Sequence, residues 1–210
     1  MRFLTFCCLC LILLGQISQA QSLRPVARQD QPGAAQWDTH PQGAIWSREA
    51  GAALSGHGSA LLLSEPSDIV TWCPGYVAAN AKSRAAFWTG LLSALARYES
   101  TFKPDAVGSG KWFGLLQIAP ATARGYGCTA RSGADLKDPA ANLSCAVRIW
   151  SVTVPRDGVV ALKGDKLAGI AADWGPMRYS EKRARMAAFT REQSYCSLSR
   201  SARPKVRASR

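Results

Sequence analysis

Leu91-Leu-Ser-Ala-Leu-Ala-Arg-Tyr-Glu-Ser-Thr-Phe-Lys-Pro-Asp-Ala-Val-Gly-Ser-Gly-Lys-Trp-Phe-Gly-Leu-Leu-Gln117 is the stretch that decides how this chain reads. Phe87, Leu91, Leu92, Leu95 and Tyr98 recur at spacings of three and four, which predicts a helix over about Ser83–Glu99 with one buried face. Lys103-Pro104 halts it, because the residue before a proline is pushed out of the α region. Glu99 therefore stands where a buried helix meets a loop. Partial desolvation there raises a carboxyl pKa. A carboxyl still protonated near neutral pH can act as a general acid. A lone glutamate at a helix end is more often a solvated surface acid, so the residues downstream carry the decision.

Those residues are Glu99-Ser100, then Phe102, Pro104, Ala106, Ser109, Gly114-Leu115-Leu116-Gln117-Ile118, Pro120 and Thr122-Ala123. In this order and spacing the stretch resembles the lysozyme-like lytic transglycosylases of the SLT family. The match is specific over roughly residues 85–127 and weaker to about 180. Lys103 stands where the family usually has Asn, and Leu116 where it has Met.

The resemblance implies a mainly α, lysozyme-like α+β domain with a small or absent β-sheet. It also implies an activity on peptidoglycan. Glu99 would first protonate the bond between N-acetylmuramic acid and N-acetylglucosamine. The muramyl N-acetyl group would stabilise the oxocarbenium-like centre. Glu99, now a base, would activate the sugar's own 6-hydroxyl and leave a 1,6-anhydromuramyl end. No cofactor is needed for this chemistry.

Around Glu99, Gly114 permits close backbone approach, Leu115 and Leu116 give apolar surface, and Gln117 has an amide that can donate and accept. Further on, the family often carries Ala-Tyr-Asn before Gly-Pro. This chain has Ala171-Ala172-Asp173-Trp174-Gly175-Pro176, so Asp173 or Trp174 takes that place, or Tyr179 reaches in from the next turn. The candidate substrate-binding residues are thus Ser109, Gly114, Leu116, Gln117, Trp174 and Tyr179.

Two rival readings stay open. Glycosidases classically need two carboxylates, and a hydrolytic lysozyme on the same fold would use Asp173 or Asp105 to direct a water. Asp105 occupies the variable position of the Pro-x-Ala turn. The other rival is a non-catalytic wall-binding module, against which Glu99 itself counts.

Met1–Ala20 reads as a signal peptide, with Arg2, an apolar run from Phe6 to Leu14, and a small-x-small Ser18-Gln19-Ala20. The run is shorter than the roughly 20 residues a spanning helix needs. Cys7, Cys8 and Cys10 lie inside it, without the small-residue box of a lipid anchor. The expected location is periplasmic or secreted.

Residues 21–66 read as a leader or arm. Gln21 to about Gly43 is Gln-, Pro- and Ala-rich, with nothing evident to organise Trp37, His40 and Trp46. From Trp46 to Leu63 a marginal helix and a packing arm are both open. The folded domain is expected over 67–196, and 197–210 is a basic, disordered tail.

Without the signal segment the chain keeps 25 basic and 14 acidic residues, a net charge of +11. Such an excess favours an anionic partner. Export argues against nucleic acid, and peptidoglycan stems carry free carboxylates. Peptidoglycan glycan strands are the expected partner, with a secretion or envelope apparatus left open, no stable membrane span, and a monomer.

Four cysteines remain: Cys73, Cys128, Cys145 and Cys196. An even count in an exported chain points to disulfides. Counting allows three pairings. Cys128 and Cys145 bracket one loop-and-helix unit, and pairing them locally leaves Cys73 with Cys196. These four contain no Cys-x-x-Cys pair, and His40 and His57 are the only histidines, so no metal site is expected.

The remaining helices have clear signals. Pro120 opens a short one to about Arg124. Asp138-Pro139 starts another with Leu143, Val147, Ile149 and Trp150 on its core face, ending at Pro155-Arg156-Asp157-Gly158. Leu167, Ile170 and Ala171 suggest a helix before Asp173, and Ser180 can cap a last one to about Glu192. Trp88 is expected in the core rather than in a cleft wall.

Overall fold

The structure, a computed structural model, describes residues 35–197. The segment read as a signal peptide, the expected leader up to residue 34 and the expected basic tail from 198 fall outside the described residues.

The central helix, α4 (Ala81–Glu99), starts where Asn80 caps it by accepting the Ser83 N–H at 2.9 Å. It does not have one buried face and one wet one. Every residue from Phe87 to Ala96 is buried. A helix that is buried all round needs cover on all sides. α8 (Ser180–Arg191) packs on it from the C-terminal part of the chain, and α1 (Gly43–Ser55) and α2 (Ser59–Leu63) from the N-terminal part.

The N-terminal cover was not evident in the sequence, where this stretch reads as a leader or arm. From residue 35 onward it belongs to the core. Trp37 and Trp46 are buried edge to face, 5.8 Å between ring centroids, and Trp37 Nε1 donates to Ser47 Oγ at 2.8 Å. His40 stacks on Trp46 at 4.3 Å. The Gln36 N–H donates to Ser93 Oγ on α4 at 2.8 Å. The buried positions of α1 are Gly43, Trp46, Ser47, Ala50, Ala53 and Leu54. That is a helical stripe, written mostly in small residues that let the helix lie close to its neighbours.

α3 (Ile69–Trp72) is a single turn beginning after Asp68. The Asp68 carboxylate accepts the main-chain N–H groups of Val160, Ala161 and Leu162 at 2.6, 2.9 and 3.2 Å, fixing the segment that follows the long helix ending at Asp157. After α4 come two short antiparallel strands, β1 (Val107–Gly108) and β2 (Trp112–Phe113), in register Val107↔Phe113 and Gly108↔Trp112. α5 (Pro120–Gly125) starts at its proline.

α6 (Pro139–Asp157) is capped by Asp138, which accepts the Ala141 N–H at 2.8 Å. It runs through Pro155 and stops at the left-handed Gly158, within the expected stop. In the last turn the proline removes only one intrahelical bond. The strands β3 (Leu162–Lys163) and β4 (Lys166–Leu167) form a second hairpin, so Leu167 belongs to a strand, and α7 covers only Ile170–Asp173. Ser180 is the first residue of α8 and not its cap. Tyr179 occupies that position, with no capping side-chain bond.

The described residues are thus mainly helical with two small antiparallel sheets, as expected. Both disulfides form in the expected pairing, Cys73–Cys196 and Cys128–Cys145. Trp88 lies in the core. Among the described residues no helix is long and apolar enough to cross a membrane.

Candidate active site

Glu99 is the last residue of α4. The chain then turns through Ser100 into Thr101 and Phe102, both left-handed, with φ of 53° and 63°. Two successive non-glycine residues there, one of them β-branched, are strained backbone. The turn is held by the Lys103 N–H donating to the Ser100 carbonyl at 3.2 Å.

Burial pushes the Glu99 carboxyl up from its ordinary 4.5 to about 7, opposed by the positive charge of Lys182. The carbonyl end of α4 is the negative pole of the helix and disfavours the carboxylate too. Among the described residues no hydrogen bond or ion pair engages the carboxyl. Glu99 thus titrates close to neutrality, and among the described residues nothing receives its proton.

The loop facing Glu99 is organised by Asn142 of α6, which is fully buried. Its Nδ2 donates to the carbonyls of Phe113 and Leu136, both at 2.9 Å, and its Oδ1 accepts the Leu116 N–H at 2.9 Å. Gly114 passes directly beneath, with φ of 80°, and a Cβ there would run into the Leu136 carbonyl and the Asn142 carboxamide. Gln117 is left-handed as well, with φ of 47°. Its Nε2 donates to the carbonyls of Gly114 at 2.8 Å and Ala106 at 3.2 Å. Because both partners are carbonyl oxygens, the amide orientation is fixed. What Gln117 can offer a ligand is therefore its Oε1, an acceptor.

On the opposite wall, Trp174 is 5% exposed and its Nε1 donates to the Leu116 carbonyl at 2.9 Å. Behind it Trp150 and then Trp88 continue edge to face, at 5.8 and 6.2 Å, into the core.

Between these walls lies a pocket of about 390 Å³ lined by Glu99, Trp112, Gln117, Asp173, Trp174, Gly175 and Arg178. Of the residues singled out in the sequence, Glu99, Gln117 and Trp174 come together here. Leu116 is fully buried behind the lining, its two main-chain groups joining Asn142 to Trp174. Gly114 is buried under the loop. Ser109 is exposed in the turn between β1 and β2, with φ of 49°, outside the lining. Tyr179 is 63% exposed, also outside the lining, with the Lys182 ammonium 5.0 Å from its ring.

Of the two candidate second acids, Asp173 lines the pocket and Asp105 does not. Desolvation shifts the Asp173 carboxyl upward, opposed by the charges of Arg156 and Arg178. Trp112, Gly175, Arg178 and Asn142 were not found from sequence. Asn142 had left a trace, a polar residue beside Leu143 on an otherwise apolar helix face. Trp112 and Arg178 left none, since their neighbours in sequence do not reveal which way they point.

Among known proteins, the transglycosylase SLT domain family matches residues 77–154, which include Glu99, Gln117 and Asn142. No curated protein sequence matches. Solved structures of DslA superpose with similar sequences. The wild-type protein is 32% identical over 79% of this chain and 99% of that one, with a TM-score of 0.71. A Glu-to-Gln variant gives 32% identity over 79% and 99% with a TM-score of 0.72, and another gives 31% over 78% and 97% with 0.69. Similarity of that extent to a solved relative, together with the family match around its glutamate, shows that this chain belongs to the SLT transglycosylase family.

Proposed function

We propose that this protein is a peptidoglycan lytic transglycosylase in which Glu99 serves as general acid and then general base. The observation that carries the reading is the Glu99 carboxyl itself, which lines the pocket, has its pKa pushed by burial up to about 7 and, among the described residues, has no hydrogen-bond or ion-pair partner. Glu99 donates its proton to the glycosidic oxygen, and the N-acetylglucosamine 4-hydroxyl leaves. The muramyl N-acetyl oxygen stabilises the positive C1. Glu99 then takes the 6-hydroxyl proton as O6 bonds to C1, which restores the acid and yields the 1,6-anhydro product without water. Attack by a tethered hydroxyl gains from proximity.

The oriented Oε1 of Gln117 suits a sugar hydroxyl or acetamide N–H, and Trp174 gives the apolar wall. Leu116 acts through its main chain, and Gly114 by leaving room for Asn142. Ser109 and Tyr179 would meet only the outer parts of a longer strand. No cofactor enters the chemistry. The signal-peptide reading and the two disulfides support export to the periplasm or beyond, and the positive charge suits the carboxylates of the wall.

A second reading, hydrolysis, is favoured by one observation, the presence of Asp173 in the same pocket.

The products decide between them. Purified sacculi digested with the protein should release 1,6-anhydromuropeptides, and Asp173→Asn should leave the product unchanged. Products about 18 Da heavier, carrying the elements of water, would replace this reading with a lysozyme that uses Asp173.

A further inference from the structure

All seven tryptophans lie among the described residues. Trp37, Trp46, Trp72, Trp88, Trp150 and Trp174 are at most 5% exposed, whereas Trp112 is 45% exposed. A single exposed apolar side chain needs no explanation by itself. Trp112 differs in where it stands and how it is held. It lines the pocket that contains Glu99 and Gln117. Among the described residues its indole has no ring partner and its Nε1–H no acceptor. The fold therefore leaves both the face and the edge of this ring unused.

The backbone beneath it is fixed. Trp112 pairs with Gly108 across the hairpin, and the Lys111 N–H donates to the Gly108 carbonyl at 2.9 Å. Phe113 bridges to Ile118, and its carbonyl is held by Asn142. A Cβ on Gly108 would run into the Gln117 carboxamide oxygen. The missing side chain at Gly108 thus lets the Gln117 acceptor sit against β1, the strand paired with the one that carries the indole.

We propose that Trp112 is the stacking platform of the pocket, receiving the apolar face of one pyranose ring of a glycan strand next to the bond that Glu99 acts on. A pyranose has a face of C–H groups, which pack on the electron-rich face of an indole. Its hydroxyls point outward around the rim, where the Nε1–H and the Gln117 Oε1 can meet them. Because the hairpin is already ordered, little conformational entropy is lost on binding. The ligand's identity as a glycan rests on the transglycosylase reading.

The test uses the full chain carrying Glu99→Gln, so that no turnover occurs, titrated with a soluble N-acetylglucosamine hexamer. Trp112 is the only exposed indole, so sugar stacked on it should shift tryptophan emission to the blue. Adding Trp112→Ala should abolish the shift and raise Kd about tenfold, equivalent to ~1.4 kcal/mol. Trp112→Tyr, which keeps a flat ring, should restore most of the affinity. An unchanged Kd in the alanine variant, or no emission change on addition of the hexamer, would overturn the proposal. Digestion of soluble glycan strands separates it from the reading on which it rests. Cleavage with an unaltered KM in Trp112→Ala would remove the platform and leave the transglycosylase. Sugar binding without cleavage by the wild-type chain would do the reverse.

Discussion

The indole Nε1–H of Trp174 donates to the main-chain carbonyl of Leu116 at 2.9 Å, a buried bond between residues 58 apart in sequence. It ties the two walls of the pocket together. Trp174→Phe keeps the ring and removes the donor, leaving a buried carbonyl unpaired at a cost of about 1–3 kcal/mol. We expect a lower Tm and a smaller kcat/KM in the same variant. An unchanged Tm would show that the bond does not hold the walls.

Glu99→Gln should reduce glycan cleavage by at least about 10²-fold, the scale of a lost acid–base group. Wild-type turnover in a folded variant would remove the assignment. The same change should stabilise the protein at alkaline pH. Folding raises the Glu99 pKa from 4.5 to about 7, so between those values the folded state binds more protons than the unfolded one. Stability from this group is full below about pH 4.5 and is lost as pH rises through 7. Melts of the two proteins should coincide near pH 4 and separate by about 1–3 kcal/mol near pH 8, with the glutamine variant the more stable.

Lys182 sets how far that pKa rises. Its ammonium lies 5.6 Å from the Tyr98 ring and 5.0 Å from the Tyr179 ring, and its charge favours the Glu99 carboxylate. Lys182→Met removes the charge. The alkaline limb of the kcat/KM profile, set by loss of the Glu99 proton, should move to higher pH. A limb that stays in place would mean that the charge does not reach Glu99.

The disulfides close loops of unequal length, with separations of 17 for Cys128–Cys145 and 123 for Cys73–Cys196. In the chain-entropy account the shorter is worth ~3 kcal/mol and the longer closer to ~5 kcal/mol. Paired Cys-to-Ala changes should therefore destabilise in that order in denaturant titrations. The reverse order would place the main effect in the folded state.

Glu99, the long helices and the disulfides were legible because each rests on a local signal: a periodic apolar face, a cap, an even cysteine count. The cover over α4 was not. Its stripe of Gly43, Ser47, Ala50 and Ala53 is made of residues that carry little hydrophobic contrast, and its need arises only because α4 has no wet face. Part of the pocket was hidden for a related reason. Asp173 and Trp174 were legible only by their place before the Gly-Pro of the family pattern, whereas Trp112 and Arg178 reach the pocket through the β1–β2 hairpin and the turn before α8, and no spacing along the chain encodes that approach.

The enclosure of α4 also limits where this protein can be trimmed. The family match spans residues 77–154, yet a chain cut to that span would lose α1, α2 and α8. Phe87, Leu91, Leu92 and Leu95 are all fully buried in the intact fold. Stripped of those neighbours, the segment would be a sticky helix prone to self-association, with Glu99 back in water and its pKa returned toward that of an ordinary glutamate. The stretch that defines the family is therefore smaller than the unit that can fold and hold the acid.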